Sequence, residues 1–345
     1  MSCNPCGEGV CGSQTERHAF GNPPGRETRI HGARSGFALI AALWLLVVIS
    51  AVGLDMSVRA RERRLAAANA LEGTRARAAA EAGLEHARAM LEQRLLAASG
   101  GGALPPELRL DPWSDLGSLF PDSVVFGDVR YRVTLRDANA ALNLNTASED
   151  ELRGLLRALR VDYGDADRIA QAVADWRDPD DARRGRGAER EDYIRAGAAV
   201  LPRNGPFREL SELLHVRGVT PEIYERVKPY LTLVGTGRVN LNTAPRPVLL
   251  ALPGLGEEAV AVLERARREG RRIRSVQELS LELSSSARAQ LSAALPALLS
   301  RATFETEEVE VRVEGWTDSG LVRARGVALA VRTSTTAMMV SQSVE

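Results

Sequence analysis

The chain has 345 residues, which is enough for about two domains. Its 45 Lys and Arg residues balance 45 Asp and Glu residues, so it lacks the overall positive charge that attracts nucleic acid. All three cysteines lie at or before position 11, so the remaining chain needs no disulfide bond and suits any redox compartment.

An uncharged apolar segment runs from Phe37 to Leu54. As an α-helix it would span about 27 Å, close to the hydrocarbon thickness of a bilayer. Arginines precede it at positions 26, 29 and 34, which predicts a cytoplasmic N-terminus and an exported C-terminal part. Three interpretations are open: a cleaved secretory signal, an ordinary single-pass anchor, or an anchor that is processed ahead of its apolar segment.

The next segment, residues 55–98, contains no proline and is rich in Ala, Leu, Arg and Glu, which are strong helix formers. Five of its apolar residues recur every three or four positions and predict one buried stripe: Ala80, Leu84, Ala87, Leu91 and Leu95. We expect one continuous helix through both segments, ending at the glycines after Ser99.

Strand patterns appear only near the two ends of the remaining chain. Apolar and polar residues alternate within Val129–Leu135 and again within Val309–Val313, which predicts half-buried strands. A turn at Thr317–Gly320 and a return strand ending at Val331 complete a hairpin, which we expect to pair with the first strand. The last residues, 333–345, have no clear period and are predicted to form a flexible tail.

The segment between these strands is predicted to be nearly all helical. It contains two similar stretches, Leu142–Ala147 and Val239–Ala244, which both read NLNTA after their first residue. Helix starts are predicted from Ser148 with Glu151, from Ser275 with Glu278, and from Thr220 before Pro221. Glycine turns at 216–219 and 252–256 link helix pairs, which indicates helix-hairpin-helix units.

An acidic loop follows the first repeat and reads DWRDPDDARRGRGAEREDY from Asp175 to Tyr193. Calcium takes oxygen ligands, and alternating carboxylates on a glycine-containing loop supply them. The candidate metal ligands are Asp175, Asp178, Asp180, Asp181, Glu189 and Asp192. The EF-hand spacing is absent. A solvated acidic loop neutralised by its arginines is the open alternative.

Catalytic motifs are missing from the sequence. After Gly36 there are two histidines, His86 and His215, and neither has a second histidine at metal-ligand spacing. No GxSxG, HExxH or P-loop occurs. The sequence therefore predicts that the chain is not an enzyme.

The junction Arg34-Ser35-Gly36-Phe37 resembles a type III prepilin signal. Together with the split strands, both NLNT segments and the acidic loop, it makes the chain similar to the pseudopilin K family of type II secretion. The resemblance implies cleavage by prepilin peptidase between Gly36 and Phe37, methylation of the new amine of Phe37, and retention of the apolar stem in the inner membrane. It also implies a periplasmic C-terminal head with calcium bound in its insert.

The fifth residue counted from Phe37 is Ala41, where most pilins carry glutamate. In the family this absence belongs to the subunit at the filament tip. The resemblance thus implies a minor pseudopilin that nucleates or caps the pseudopilus together with minor pseudopilins I and J and the major pseudopilin, for export of folded proteins across the outer membrane.

The implied fold class is α+β: a pilin-like long N-terminal helix packed on a small antiparallel sheet, interrupted by a large all-α insert of SAM-like, helix-hairpin-helix type. The expected segments are a leader at 1–36, a transmembrane part of the helix at 37–54, the first part of the head at 55–141, the helical insert at 142–300, the second part of the head at 301–332 and the tail at 333–345.

Two rival functions stay open. Asn240–Leu279 resembles the helix-hairpin-helix of membrane-anchored, competence-type DNA-binding proteins, in which hairpin amides and basic side chains hold phosphates. Glu257 and Glu258 lie next to that position and oppose DNA binding, so we expect no nucleic-acid partner. The other alternative is a minor pilin of a type IV pilus.

Overall fold

The computed structural model describes residues 34–100, 104–333 and 336–345. Its helices are α1 (Arg34–Ser99), α2 (Pro106–Leu110), α3 (Glu149–Ala158), α4 (Tyr163–Arg177), α5 (Arg190–Arg195), α6 (Pro221–Val227), α7 (Arg246–Ala251), α8 (Glu257–Arg268), α9 (Val276–Leu281), α10 (Ser285–Ala293) and α11 (Leu295–Arg301). Its strands are β1 (Val124–Phe126), β2 (Val129–Asp137), β3 (Leu142–Asn143), β4 (Leu231–Thr232), β5 (Val239–Asn240), β6 (Ala302–Thr303), β7 (Glu308–Thr317), β8 (Arg323–Arg332) and β9 (Ala337–Val344). Short 3-10 turns lie at Ala138–Ala140, Leu210–His215 and Lys228–Tyr230.

The chain divides into two compact units, residues 1–65 and 66–345. In the first unit the described residues form the N-terminal part of α1, which is long and apolar enough to cross a membrane. Apolar side chains such as Leu46 and Ile49 are exposed there, as expected for a lipid-facing surface. The predicted leader falls on residues 1–33, outside the described residues, and on Arg34–Gly36, which begin α1. The other segment boundaries expected from the sequence stay predictions.

The second unit contains a five-stranded antiparallel sheet in the order β1-β2-β7-β8-β9. Val133 of β2 pairs with Val313 of β7, and Val311 of β7 pairs with Ala328 of β8. The predicted hairpin and its pairing with the first strand are therefore confirmed. The prediction of a flexible tail is wrong for Ala337–Val344, because this segment pairs with β8 along the sheet edge.

One hydrophobic core joins this sheet to the C-terminal part of α1. The predicted stripe from Ala80 to Leu95 is buried, and it packs against Val311, Val313 and Trp113. The indole N–H of Trp113 donates a hydrogen bond to the carbonyl oxygen of Leu91, 3.2 Å away, so its one polar atom is satisfied. The predicted α+β class, with a long N-terminal helix and an antiparallel sheet, is confirmed.

A second hydrophobic core belongs to the segment between β2 and β7. This segment carries α3 to α11, as its pattern predicted, but each NLNT stretch also begins with a two-residue parallel strand. Leu142 pairs with Leu231, and Val239 pairs with Ala302, so each repeat closes on itself. Such short strands leave no period in the sequence. The SAM-like character of the insert stays a prediction.

The predicted helix starts agree with the structure in their main features. Ser148 and Glu151 form a reciprocal capping box at α3. Thr220 caps α6. At α9 the Ser275 hydroxyl accepts from the Glu278 main-chain N–H, but the Glu278 carboxylate accepts from the N–H of Arg274 instead of that of Ser275.

Candidate metal centre in the acidic loop

The near end of the acidic loop is fixed by the last turn of α4. Arg177, the last residue of that helix, donates to the main-chain carbonyl oxygens of Leu144 and Ala147 in the first NLNT stretch. These carbonyls precede α3, so the end of α4 is held against the start of its neighbour. Asp175 lies in the same turn and is fully buried.

The same NLNT stretch also holds the segment that follows α5. Asn145 accepts from the main-chain N–H of Phe207 at 2.8 Å and donates to its carbonyl oxygen at 3.0 Å. The Phe207 ring stacks on Trp176, and Tyr193 meets Trp176 edge-on. Both aromatic side chains of the motif, Trp176 and Tyr193, are therefore packing residues.

Three carboxylates of the loop converge on one point. Ligand oxygens of Asp175, Asp178 and Glu189 all lie within 4.8 Å of one another. Asp175 and Glu189 are buried and Asp178 is half-buried. Gly187 packs directly on the Asp175 carboxylate, where any Cβ atom would collide with an oxygen of that group. The glycine in the GAE sequence is thus required by this contact.

The Glu189 carboxylate is buried without compensation. Neither of its oxygens has a hydrogen-bond partner among the described residues, and the Oδ1 atom of Asp178 also lacks one. Burial, together with repulsion from Asp175 and Asp178, raises the pKa of Glu189 to about 7. Burial also raises the pKa of Asp175, although hydrogen bonds from Arg184 oppose that shift. Orphaned carboxylate oxygens of this kind are costly unless a cation meets them.

Arg184 supplies the positive charge on one side of the cluster. Its guanidinium pairs with Asp175 at 2.7 Å, with Asp178, and with Glu149 of α3. The hydrogen bonds that Arg184 donates, first to Asp178 and then to Asp175, raise the pKa of its guanidinium. The sequence did not indicate Glu149, which is distant along the chain, and it gave Arg184 only as one of several arginines that could neutralise the loop.

The other three predicted ligands have different partners. Asp180 accepts from the main-chain N–H of Ala182, and Asp181 accepts from the side chain of Asn204. Asp192 accepts from the main-chain N–H of Glu189 at 3.2 Å and pairs with Arg183 and Arg195. These three carboxylates lie outside the group whose oxygens approach within 4.8 Å.

The converging residues fit a hard divalent cation. Calcium prefers carboxylate oxygens, and the cluster offers three carboxylates with three orphaned oxygen atoms. Calcium takes about six to eight oxygen ligands, so water or main-chain carbonyl groups would have to complete the coordination sphere.

The second repeat carries the helix-hairpin-helix that resembled a DNA-binding unit. Its two hairpin carboxylates have partners: Glu257 pairs with Arg246, and Glu258 accepts from the main-chain N–H and the hydroxyl of Ser284. The arginines that follow on α8 and the next loop are also engaged. Arg265 pairs with Glu282, Arg271 pairs with Glu278 and Glu282, and Arg272 pairs with buried Asp111.

Comparison with known proteins finds a family model that matches part of the chain and several similar proteins. Residues 133–236 match the family model described as type II secretion system (T2SS), protein K. Type II secretion system protein K of Klebsiella pneumoniae is 27% identical over 234 residues, covering 63% of this chain and 69% of that protein. The putative type II secretion system protein K of Escherichia coli K12 is 33% identical, covering 31% of this chain and 37% of that protein. The chain thus spans only part of the length of these relatives.

A solved structure extends the likeness to the fold. A chain of the GspK-GspI-GspJ complex from the enterotoxigenic Escherichia coli type 2 secretion system matches with a TM-score of 0.56 and 21% identity. The match covers 77% of this chain and 96% of that chain. The resemblance drawn from the sequence is confirmed.

Proposed function

We infer that this chain is a minor pseudopilin of the type II secretion protein K family, which nucleates or caps a pseudopilus during export of folded proteins. The observation that carries the inference is the split head. β2 and β7 are neighbours in one sheet, yet the segment that connects them forms a separate hydrophobic core. This segment contains the two NLNT repeats and the acidic loop. The solved relative shares this fold over nearly its whole length.

The stem supports an anchored role in the inner membrane. Its apolar residues from Phe37 to Leu54 lie on α1 and are exposed where lipid would cover them. We propose that prepilin peptidase cuts between Gly36 and Phe37, that the new amine of Phe37 is methylated, and that the head lies in the periplasm. Ala41 then leaves the stem without the carboxylate that would dock beneath an earlier subunit, which suits a position at the tip.

The partners proposed for the chain are minor pseudopilins I and J and, below them, the major pseudopilin. The solved relative is described as part of a complex with GspI and GspJ. A helical insert on the head would hinder stacking of a further subunit above it, which also suits the tip.

We propose that the acidic loop binds calcium through Asp175, Asp178 and Glu189. The support is the convergence of three carboxylates, two of them buried, and the orphaned oxygens of Glu189. A bound ion would neutralise those charges and tie α4 to the start of α5, so its role is structural.

DNA binding is the weaker candidate. The hairpin that would hold phosphate presents Glu257 and Glu258, and the arginines on the next loop pair with acidic side chains. A type IV pilus would use a similar stem, but the family match and the relatives' names point to type II secretion.

Deletion of the gene in the bacterium that encodes it tests the proposal. Proteins destined for the medium should accumulate in the periplasm, as measured by quantitative mass spectrometry of both fractions. The wild-type gene and a Gly32→Ala variant should restore export, whereas Gly36→Asp should not, because the leader would stay attached. Normal export with lost DNA uptake or lost pili would instead support one of the two rival functions.

A further inference from the structure

Arg184 differs from the other arginines of the acidic loop because its guanidinium lies among the converging carboxylates. It reaches three carboxylates from three parts of the insert: Glu149 at the start of α3, Asp175 in the last turn of α4, and Asp178 on the loop. Its main-chain N–H also points at Asp175, with N–O distances of 3.3 and 3.4 Å. No single helix places these groups together, so Arg184 ties the loop to both helices.

The guanidinium does not use every oxygen of the cluster. The Oδ2 atom of Asp178 accepts from Arg184, while its Oδ1 atom is buried without a partner in the described part of the chain. Both oxygens of Glu189, whose residue is 4% exposed, are also without a partner among the described residues. The cluster thus has one side neutralised by an arginine and another side that still presents bare carboxylate oxygens.

We propose that Arg184 is an internal counter-ion, which keeps the acidic loop folded when no divalent cation is bound and weakens cation binding at Asp175, Asp178 and Glu189. This inference rests on the cation site proposed above. It extends that site by assigning it an arginine that competes electrostatically with the ion while it holds two of the ligands in place.

Two opposing effects of Arg184 follow from its charge. In the ion-free protein it offsets the mutual repulsion of Asp175 and Asp178, so the loop does not need a cation in order to fold. When a cation binds a few ångströms away, the two positive charges repel each other in a partly desolvated site, which lowers the affinity. The result is a loop that folds without the ion and gains further stability when the ion binds.

The neighbouring arginines provide matched controls, because neither reaches the cluster. Arg186 pairs with Asp167 of α4 at 3.6 Å, and its side chain is largely exposed. Arg183 pairs with Asp192 at 3.4 Å and is also exposed. Replacing Arg186 removes the same formal charge from the same loop without removing a contact to Asp175 or Asp178.

The test uses the full chain extracted from membranes in detergent and treated with chelator. Melting temperature is measured by differential scanning fluorimetry, and CaCl2 affinity by isothermal titration calorimetry. Without calcium, the melting temperature of Arg184→Gln should be lower than that of the wild type, whereas Arg186→Gln should have the melting temperature of the wild type. With calcium, Arg184→Gln should bind roughly tenfold more tightly than the wild type, and Arg186→Gln much less so.

A conservative variant separates charge from geometry. Arg184→Lys keeps the positive charge but loses the forked contacts, so it should retain wild-type calcium affinity and melt below the wild type in chelator. The proposal that Arg184 is a counter-ion would be overturned by either of two results. One is an equal melting temperature of Arg184→Gln and the wild type in chelator. The other is calcium affinity of Arg184→Gln that is equal to or weaker than that of the wild type. If neither the wild type nor any variant binds calcium, the proposed cation site is rejected. The melting temperatures measured in chelator still decide whether Arg184 stabilises the loop.

Discussion

Gly315 of β7 lies so close to Ala80 of α1 that a Cβ atom on the glycine would come within 2.6 Å of the main-chain nitrogen of Ala80. The obstacle is helix backbone, which cannot rotate away as a side chain can. The sheet and the pilin-like helix therefore meet through a glycine on one side and small alanines on the other. Ala76 and Ala80, on the helix side of this contact, belong to the head core.

The change Gly315→Ala should destabilise the head by about 1–3 kcal/mol, because the sheet must move away from the helix. Urea denaturation monitored by tryptophan fluorescence measures the free energy of unfolding. Gly117→Ala is the control, since a Cβ atom there meets nothing within 4 Å. Equal stability of the two variants would show that the helix and sheet are not in close contact.

The change Asn145→Ala should loosen the acidic loop, because it removes both hydrogen bonds to the main chain of Phe207. Hydrogen–deuterium exchange should rise in residues 178–206. Asn242 holds Ile273 in the same way in the second repeat. Asn242→Ala should therefore raise exchange near Ile273 and leave the acidic loop protected. Faster exchange of the acidic loop in both variants would mean that the two repeats unfold together.

Calcium should raise the melting temperature of the protein, because the ion binds the folded loop and not the unfolded chain. We expect Glu189→Gln to abolish this shift, since Glu189 presents two unpaired oxygens to the site. Asp180→Asn should keep it, because Asp180 caps a main-chain N–H outside the converging group. Loss of the shift in both variants would favour the larger ligand set that was predicted from spacing. The absence of any calcium shift in the wild type would reject the site.

Asp137 should make stability depend on pH at the junction between β2 and the insert. Its carboxylate accepts from the Asn240 side chain at 2.9 Å and from the Thr243 hydroxyl at 2.6 Å, but burial still raises its pKa to about 6. The folded state therefore holds this proton more tightly than the unfolded state does. The free energy of unfolding should fall as pH rises from about 4 to about 6, and the loss should persist at neutral pH.

Urea denaturation at pH 5 and pH 7 checks this sign. The loss of stability between the two pH values should be smaller in Asp137→Asn than in the wild type, because asparagine does not ionise. Asp122 is exposed, so Asp122→Asn should lose as much unfolding free energy between pH 5 and pH 7 as the wild type does. A wild type whose stability rises over this interval, with Asp137→Asn following it in parallel, would contradict the assignment.

Much of the head could be predicted from the sequence, because its elements bury one face. Alternation in Val129–Leu135 and Val309–Val313 located β2 and β7, and the stripe from Ala80 to Leu95 located the helix surface that packs on them. β9 was missed because Met338 and Val340 are exposed on an edge strand, so the period of two is blurred.

The sequence drew attention to the acidic loop as a candidate site, but it could not predict which of the carboxylates converge. Spacing along the chain cannot tell which carboxylates turn inward, and Asp180 and Asp181 satisfy local loop contacts instead. The link between Arg184 and Glu149 depends on how α3 packs beside α4, which no local pattern records.

Assembly with the other minor pseudopilins tests the central claim most directly. The compact unit 66–345 contains both cores and can be co-expressed with the heads of pseudopilins I and J from the same bacterium. Size-exclusion chromatography with multi-angle light scattering should give one peak with the summed mass of three different heads. Three separate monomer peaks at micromolar concentration would contradict the assignment of this chain to the pseudopilus tip.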